Sequence, residues 1–108
     1  MKTIVAIAVI CVGSAFFIRA ADPKTNWANN CAQCHGADGR ADTKMGKQLS
    51  AKDLTDPKVQ AAFTDAKATQ SIKEGVKQSG KTTMKAFGGK LSDDEIKALV
   101  TYVRSLRK

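Results

Sequence analysis

Residues 31–36 read Cys31-Ala32-Gln33-Cys34-His35-Gly36, two cysteines three apart with a histidine directly behind the second. Each thiol of such a pair can add across one vinyl group of a haem, and the adjacent imidazole is then pinned beneath the iron. Two rival uses of the pair fail on the surrounding residues. A thioredoxin-like redox site wants a βαβ pattern, whereas the residues that follow, Ala37 to Lys44, are small, polar and glycine-containing. A zinc site needs four nitrogen or sulfur ligands, and the chain has one histidine and one further cysteine, Cys11 in an N-terminal apolar stretch. The motif therefore predicts one haem c, covalently attached through Cys31 and Cys34 with His35 as an iron ligand.

The rest of the 108-residue chain is short enough for a single domain. Residues 1–20 read as a secretory signal peptide: Lys2 supplies the charge, Thr3 to Ile18 the apolar run, and cleavage is expected near Ala20 or Ala21. Residues 21–108 then form the monohaem domain, exported to the periplasm. The alternative is an uncleaved Met1 to Ile18 helix that anchors the domain in a membrane, although this run is at the short edge for a span. Cleavage would remove Cys11 and leave no thiols beyond the motif pair, so no disulfide framework staples the domain. A buried haem has to supply much of the interior of an 88-residue chain with few large apolar side chains.

Removing Lys2 and Arg19 leaves 16 basic against 10 acidic side chains, so the domain stays basic. That balance suits a solvated lysine surface, an acidic docking partner, or both. Scattered lysines, one Trp and one Tyr with no recognisable binding motif argue against nucleic acid.

Helices are expected at four places. Asp22 caps a first helix from Lys24 to about Cys31, with Pro23 at its first position and Trp27 one turn before Cys31 as a packing residue. The loop Gly36 to Asp42 follows, with Met45 and Leu49 as candidate wall residues, and Leu54-Thr55-Asp56-Pro57 turns into a short helix over Lys58 to Phe63. A third helix is expected from Ala66 to about Lys77 behind an Asp65 cap, with Ala68, Ile72 and Val76 on one stripe. Gly75 inside it costs about 1 kcal/mol and implies close approach of the haem or of another backbone, the alternative being fraying toward the helix end. Gln78 to Lys90 reads as a glycine-rich loop. Ser92-Asp93-Asp94-Glu95 is then a capping box, flanked by Leu91 and Ile96, for a helix whose stripe is Ile96, Leu99, Val100, Val103 and Leu106.

With His35 on one side of the iron, and no other histidine or free thiol in the mature chain, the opposite ligand falls to a methionine. Met45 and Met84 are the candidates, and either can equally be wall packing. Met45 lies ten residues after His35, a poor reach to the opposite haem face; Met84 lies 49 residues on, in a glycine-flanked loop. A thioether is a soft donor that favours Fe(II), and two axial ligands close the iron to substrate.

Two blocks, Cys31 to Gly36 and Met84-Lys85-Ala86-Phe87-Gly88-Gly89-Lys90-Leu91-Ser92-Asp93-Asp94-Glu95-Ile96, resemble the small class I cytochromes c of bacteria, and the likeness covers most of residues 24 to 106. The resemblance implies an all-α fold of three to five helices wrapped around one covalently bound haem. It assigns Cys31, Cys34, His35 and Met84 to the cofactor, with His35 and Met84 on the metal, and sets Trp27 and Tyr102 near a crossing of the first and last helices. Lys85 stands where the family usually has proline, and no proline in the loop after His35 offers a carbonyl to the imidazole Nδ1. The implied function is a soluble, monomeric one-electron carrier of a respiratory or photosynthetic chain, not an enzyme, docking redox proteins at the haem edge through Lys81 and Lys85. A haem peroxidase or gas sensor with a displaceable Met84, and a membrane-anchored haem subunit of a larger oxidoreductase, are the alternatives.

Overall fold

A computed structural model describes residues 8–14 and 20–108. Much of the segment read as a secretory signal, residues 1–7 and 15–19, lies outside the described residues. Residues 8–14 have no regular structure, and Val9, Ile10 and Val12 are each at least 81% exposed. Among the described residues no helix is long and apolar enough to cross a membrane.

The architecture is all-helical apart from one small hairpin. Helices α1 (Pro23–Asn30), α2 (Ala32–His35), α3 (Lys44–Gln48), α4 (Pro57–Ala61) and α5 (Asp65–Glu74) precede strands β1 (Val76–Gln78) and β2 (Lys81–Met84), and α6 (Asp93–Ser105) closes the chain. The short helices α2 and α3 add to those the sequence predicts. Neither has the length for an apolar stripe to show in its pattern.

The long helices start where capping chemistry dictates. The Asp22 carboxylate accepts from the Thr25 backbone N–H at 2.9 Å, and Pro23 occupies the first turn of α1. At α6 the capping box is complete: Glu95 N donates to Ser92 Oγ, and Ser92 N donates to the Glu95 carboxylate, both at 3.1 Å. The cap of α5 is Thr64, not Asp65, because the Thr64 hydroxyl accepts from Lys67 N while Asp65 sits in the first turn. That helix also ends earlier than expected. Gly75 is its C-cap at φ 77°, so it lies at the end and not inside, and Val76 leaves the helical stripe for β1. The segment expected to be a loop instead pairs antiparallel, Val76 opposite Met84 and Gln78 opposite Lys81, with a bulge after Val76.

The core is the contact of α1 and α5 with the apolar face of α6. Ile96 and Leu99 are each 1% exposed, and Trp27, Cys31, Leu54, Ile72, Phe87, Leu91, Val100 and Val103 complete the cluster. Leu91 and Ile96 are both buried, as a staple before and inside a helix start requires. Polar ties fix the crossing. The Asn26 amide, buried in α1, donates to the Glu95 carboxylate at 2.8 Å. Arg104 binds Asp65 at 2.8 Å, donates to the carbonyls of Gln60 and Phe63, and stacks 4.4 Å from the Phe63 ring centre. Gln60, itself buried, donates to the carbonyls of Leu54 and Val103. These bonds hold the α4–α5 connection against α6.

Three carboxylates tie this scaffold to pH. Hydrogen bonds from Asn26, and next from Ser92, hold Glu95 below its ordinary 4.5, and bonds from Thr25 and Thr55 hold Asp22 and Asp53 below 3.8. A carboxylate lowered on folding stabilises the fold above its ordinary value and loses that contribution as pH falls through the folded value. The share of thermal stability that these carboxylates supply should therefore be constant from neutral down to about pH 5 and fall away below it. Asn26→Ala protein, less stable at neutral pH, should converge on the wild type as the acid is approached; a constant gap would exclude the Asn26–Glu95 contribution.

Candidate haem site

The sequence places two thiols and the only imidazole on one turn of helix, and α2 shows how the turn is held. Its backbone is continuous with α1: Cys31 N donates to Trp27 O at 2.9 Å, and His35 N donates to Cys31 O at 2.9 Å. Gly36 ends it at φ 79°, a left-handed conformation that favours glycine. Cys31 is buried and Cys34 half-buried. Burial pushes the Cys31 thiol up to about 11, with Cys34 adding to the effect.

Beyond Gly36 the chain turns back and locks the turn from outside. The Thr43 hydroxyl donates to Cys34 O at 2.8 Å and accepts from Gly46 N at 2.9 Å, so one side chain caps α3 and ties it to α2. Gly46 is a glycine for steric reasons, since a Cβ there would collide with the Cys34 carbonyl oxygen. Sequence reasoning missed both residues. A threonine three before a helical N–H is the one signal that could have found the cap.

His35 Nδ1 lies 3.3 Å from the carbonyl oxygen of Lys52. A carbonyl can only accept, so this contact puts the ring proton on Nδ1 and leaves the Nε2 lone pair free for a metal. Burial holds the His35 pKa below its ordinary 6.5, against the smaller opposing effect of the Lys52 bond. The imidazole is thus kept neutral, the ligating form. The carbonyl expected of a proline belongs here to a lysine. Because any residue has a carbonyl, side-chain identity could not reveal it.

Trp27 stands behind the imidazole. It is 3% exposed, its ring centre lies 5.8 Å from that of His35, and its Nε1–H donates to Gly36 O at 3.0 Å. Tyr102 of α6 also packs against it, with ring centres 5.4 Å apart. The packing expected of Trp27 and Tyr102 at the helix crossing is therefore present, and Trp27 also orients the ligand turn.

The two methionines separate clearly. Met45, in α3, is 37% exposed, and Leu49 is half-buried. Met84, at the end of β2, is half-buried and packs against the core cluster. A cleft of about 260 Å³ separates Leu49 and Ser50 from the hairpin residues Gln78, Lys81, Thr82 and Thr83. A larger cavity of about 330 Å³, beside Pro57, Gln60 and Arg104, contains none of the four predicted site residues. Two thiols, a neutral imidazole presenting Nε2 and a half-buried thioether are a donor set that fits a covalently held haem.

Fold and donor set together define a small single-haem c-type cytochrome domain. The family profile described as cytochrome c oxidase, cbb3-type, subunit III, matches residues 19–103, and the chain belongs to that family. It is 34% identical over 83 residues to the cbb3-type cytochrome c oxidase subunit FixP of Rhizobium meliloti (strain 1021), covering 77% of this chain and 26% of that protein. The FixP subunit of Azorhizobium caulinodans is 38% identical over 80 residues, covering 74% of this chain and 25% of that protein. The chain thus spans about a quarter of the length of the curated relatives it matches. Among solved structures it is similar to the KustC0563 c-type cytochrome, with a TM-score of 0.73 and 34% identity over 82% of this chain and all of that one. Haem c is the cofactor of this family of domains.

The Trp27 hydrogen bond has a measurable consequence. Trp27→Phe keeps a ring but removes the shorter of the two hydrogen bonds that Gly36 O accepts, leaving the one from Gly39 N at 3.2 Å, and opens a gap beside the imidazole. Loss of about 1–3 kcal/mol is expected from denaturant unfolding of the holoprotein; unchanged stability would mean that the Gly39 bond alone holds the turn.

Proposed function

We propose that the domain carries single electrons, with Cys31 and Cys34 holding one haem by thioether bonds and His35 Nε2 and Met84 Sδ on opposite sides of the iron. The observation that carries this reading is the one-turn cluster of Cys31, Cys34 and His35, whose imidazole is fixed in the metal-ligating tautomer by Lys52 O at 3.3 Å. Haem bound in this way supplies a one-electron Fe(III)/Fe(II) couple. The protein's own residues then do three things. His35, neutral and oriented, donates a lone pair; Met84, a soft donor, favours the reduced state; Trp27 and the core wall off the proximal side from water.

Partner recognition falls to the basic face around the methionine. Between Gly75 and Ser92 the chain carries Lys77, Lys81, Lys85 and Lys90, all exposed, and no carboxylate. Lys81 and Lys85 flank Met84 and are the proposed docking residues for a redox partner with an acidic surface. The expected site of action is the periplasm, reached by export through residues 1–20 with cleavage near Ala20 or Ala21, and the free domain is expected to be a monomer.

A second reading follows from the relatives' printed names: the domain serves as a haem subunit of a larger oxidase, held there by its N-terminal apolar stretch. Intact mass of the purified protein separates the two, since cleavage at residue 20 or 21 leaves a soluble carrier and retention of residues 1–20 leaves an anchor.

Two outcomes test the carrier itself. The mass of protein matured with haem-ligating machinery should include one haem, and Met84→Ala should open the iron so that the reduced protein binds carbon monoxide, which the wild type resists. Ready carbon monoxide binding by the wild type would favour a sensor or peroxidase. Electron-transfer rates with an acidic partner should fall with rising salt, and the Lys81→Glu, Lys85→Glu double variant should be about tenfold slower at low ionic strength and similar to wild type at high. Rates indifferent to salt would remove the docking assignment.

A further inference from the structure

The backbone after Met84 is fastened to the C-terminal end of α5, and the backbone before it to β1, the strand that follows this helix. Helices end with carbonyls that lack an intrahelical partner. At α5 two of these accept from the segment after the methionine: Phe87 N donates to Ile72 O at 2.8 Å, and Gly88 N donates to Lys73 O at 3.0 Å. Before the methionine, β2 pairs with β1, Met84 stands opposite Val76, and the Thr83 hydroxyl donates to Val76 O at 3.3 Å.

Gly75 sits between these two attachments. Its φ of 77° and ψ of −178° lie in a region open essentially to glycine alone. The neighbouring chain also leaves it no room. A Cβ on Gly75 would stand 2.6 Å from Met84 O, 2.9 Å from Ala86 N and 3.1 Å from Lys85 C. Each of those atoms is backbone, so none can swing aside as a side-chain tip could. Met84–Ala86 therefore lies directly on the Gly75 α-carbon, and Lys85, unlike a proline, adds no restraint on φ of its own.

We propose that Gly75 is a positioning residue for Met84: as the side-chain-free cap of α5 it provides the seat on which the methionine segment rests, and the helix end clamps that segment in place. The proposal rests on the reading of Met84 as the axial ligand. Any side chain at position 75 lifts Met84 from its seat while leaving the thioether itself intact, so ligation weakens without a change of ligand.

The holoprotein tests this through the red charge-transfer band that a thioether bound to ferric haem iron produces. Gly75→Ala should lose most of the band at room temperature, and the reduced form should bind carbon monoxide at least about tenfold faster, with helix content by circular dichroism unchanged. Gly80→Ala is the matched comparison, because Gly80 has nearly the same φ, 78°, with nothing within 4 Å of a Cβ. It should keep the wild-type band. If Gly75→Ala does not accumulate folded, Gly88→Ala takes its place, since its Cβ would press on Lys73 O at 2.9 Å from the other side of the clamp. A full band and wild-type carbon monoxide kinetics in the folded clamp variant would overturn the proposal, as would equal band loss in Gly80→Ala. Persistence of the band in Met84→Ala would instead show that Met84 is not the ligand, and the proposal would fall with that reading.

Discussion

The imidazole of His35 can offer a lone pair at Nε2 only while Nδ1 keeps the proton, and the Lys52 carbonyl 3.3 Å away holds it there. Much of the local structure serves that contact. Gly36 reverses the chain, Thr43 and Gly46 press α3 onto α2, and the return of the loop brings Lys52 behind the ring. Leu54 N, donating to Gly39 O at 2.8 Å, closes the same loop on itself. The imidazole is consequently oriented by a backbone carbonyl, which does not depend on the side chain at position 52.

Trp27 joins this loop to the helical scaffold. The indole packs against both His35 and Tyr102, and its N–H donates to the carbonyl at which the loop begins. Behind it the interior is small, with Ile96 and Leu99 as its most deeply buried members. A domain of this size buries little apolar area. Polar bonds of good geometry, Asn26 to Glu95 and Arg104 to Asp65, Gln60 and Phe63, supplement it where α6 meets α1 and the α4–α5 connection. A bound haem would add interior as well as chemistry.

Met84, the ligand proposed for the other side of the iron, is held by a different principle. It has no local rigidity from proline, and instead two strands of three and four residues and the end of α5 restrain it from both directions. The same arrangement leaves Lys77, Lys81, Lys85 and Lys90 exposed around the methionine, so the segment proposed to tune the iron is also the one proposed to meet the partner.

The chemistry-bearing residues were legible because covalent haem attachment demands adjacent donors: Cys31, Cys34 and His35 are local, and so are the cap at Asp22 and the capping box at Ser92 and Glu95. Local hydrogen bonds and helical spacing are written within a few residues, and the sequence by itself determined them. Contacts that close over longer separations were not legible. The Lys52 carbonyl lies 17 residues from its imidazole, and the Asn26 amide 69 residues from its carboxylate. The hairpin at Val76 to Met84 was hidden by the polar, glycine-rich composition of that segment, and the early end of α5 at Gly75 by the helical spacing of Ile72 and Val76. Only the tertiary structure decided these, because a backbone carbonyl or an α-carbon against which another strand lies is the same in every sequence until folding brings its partner to it.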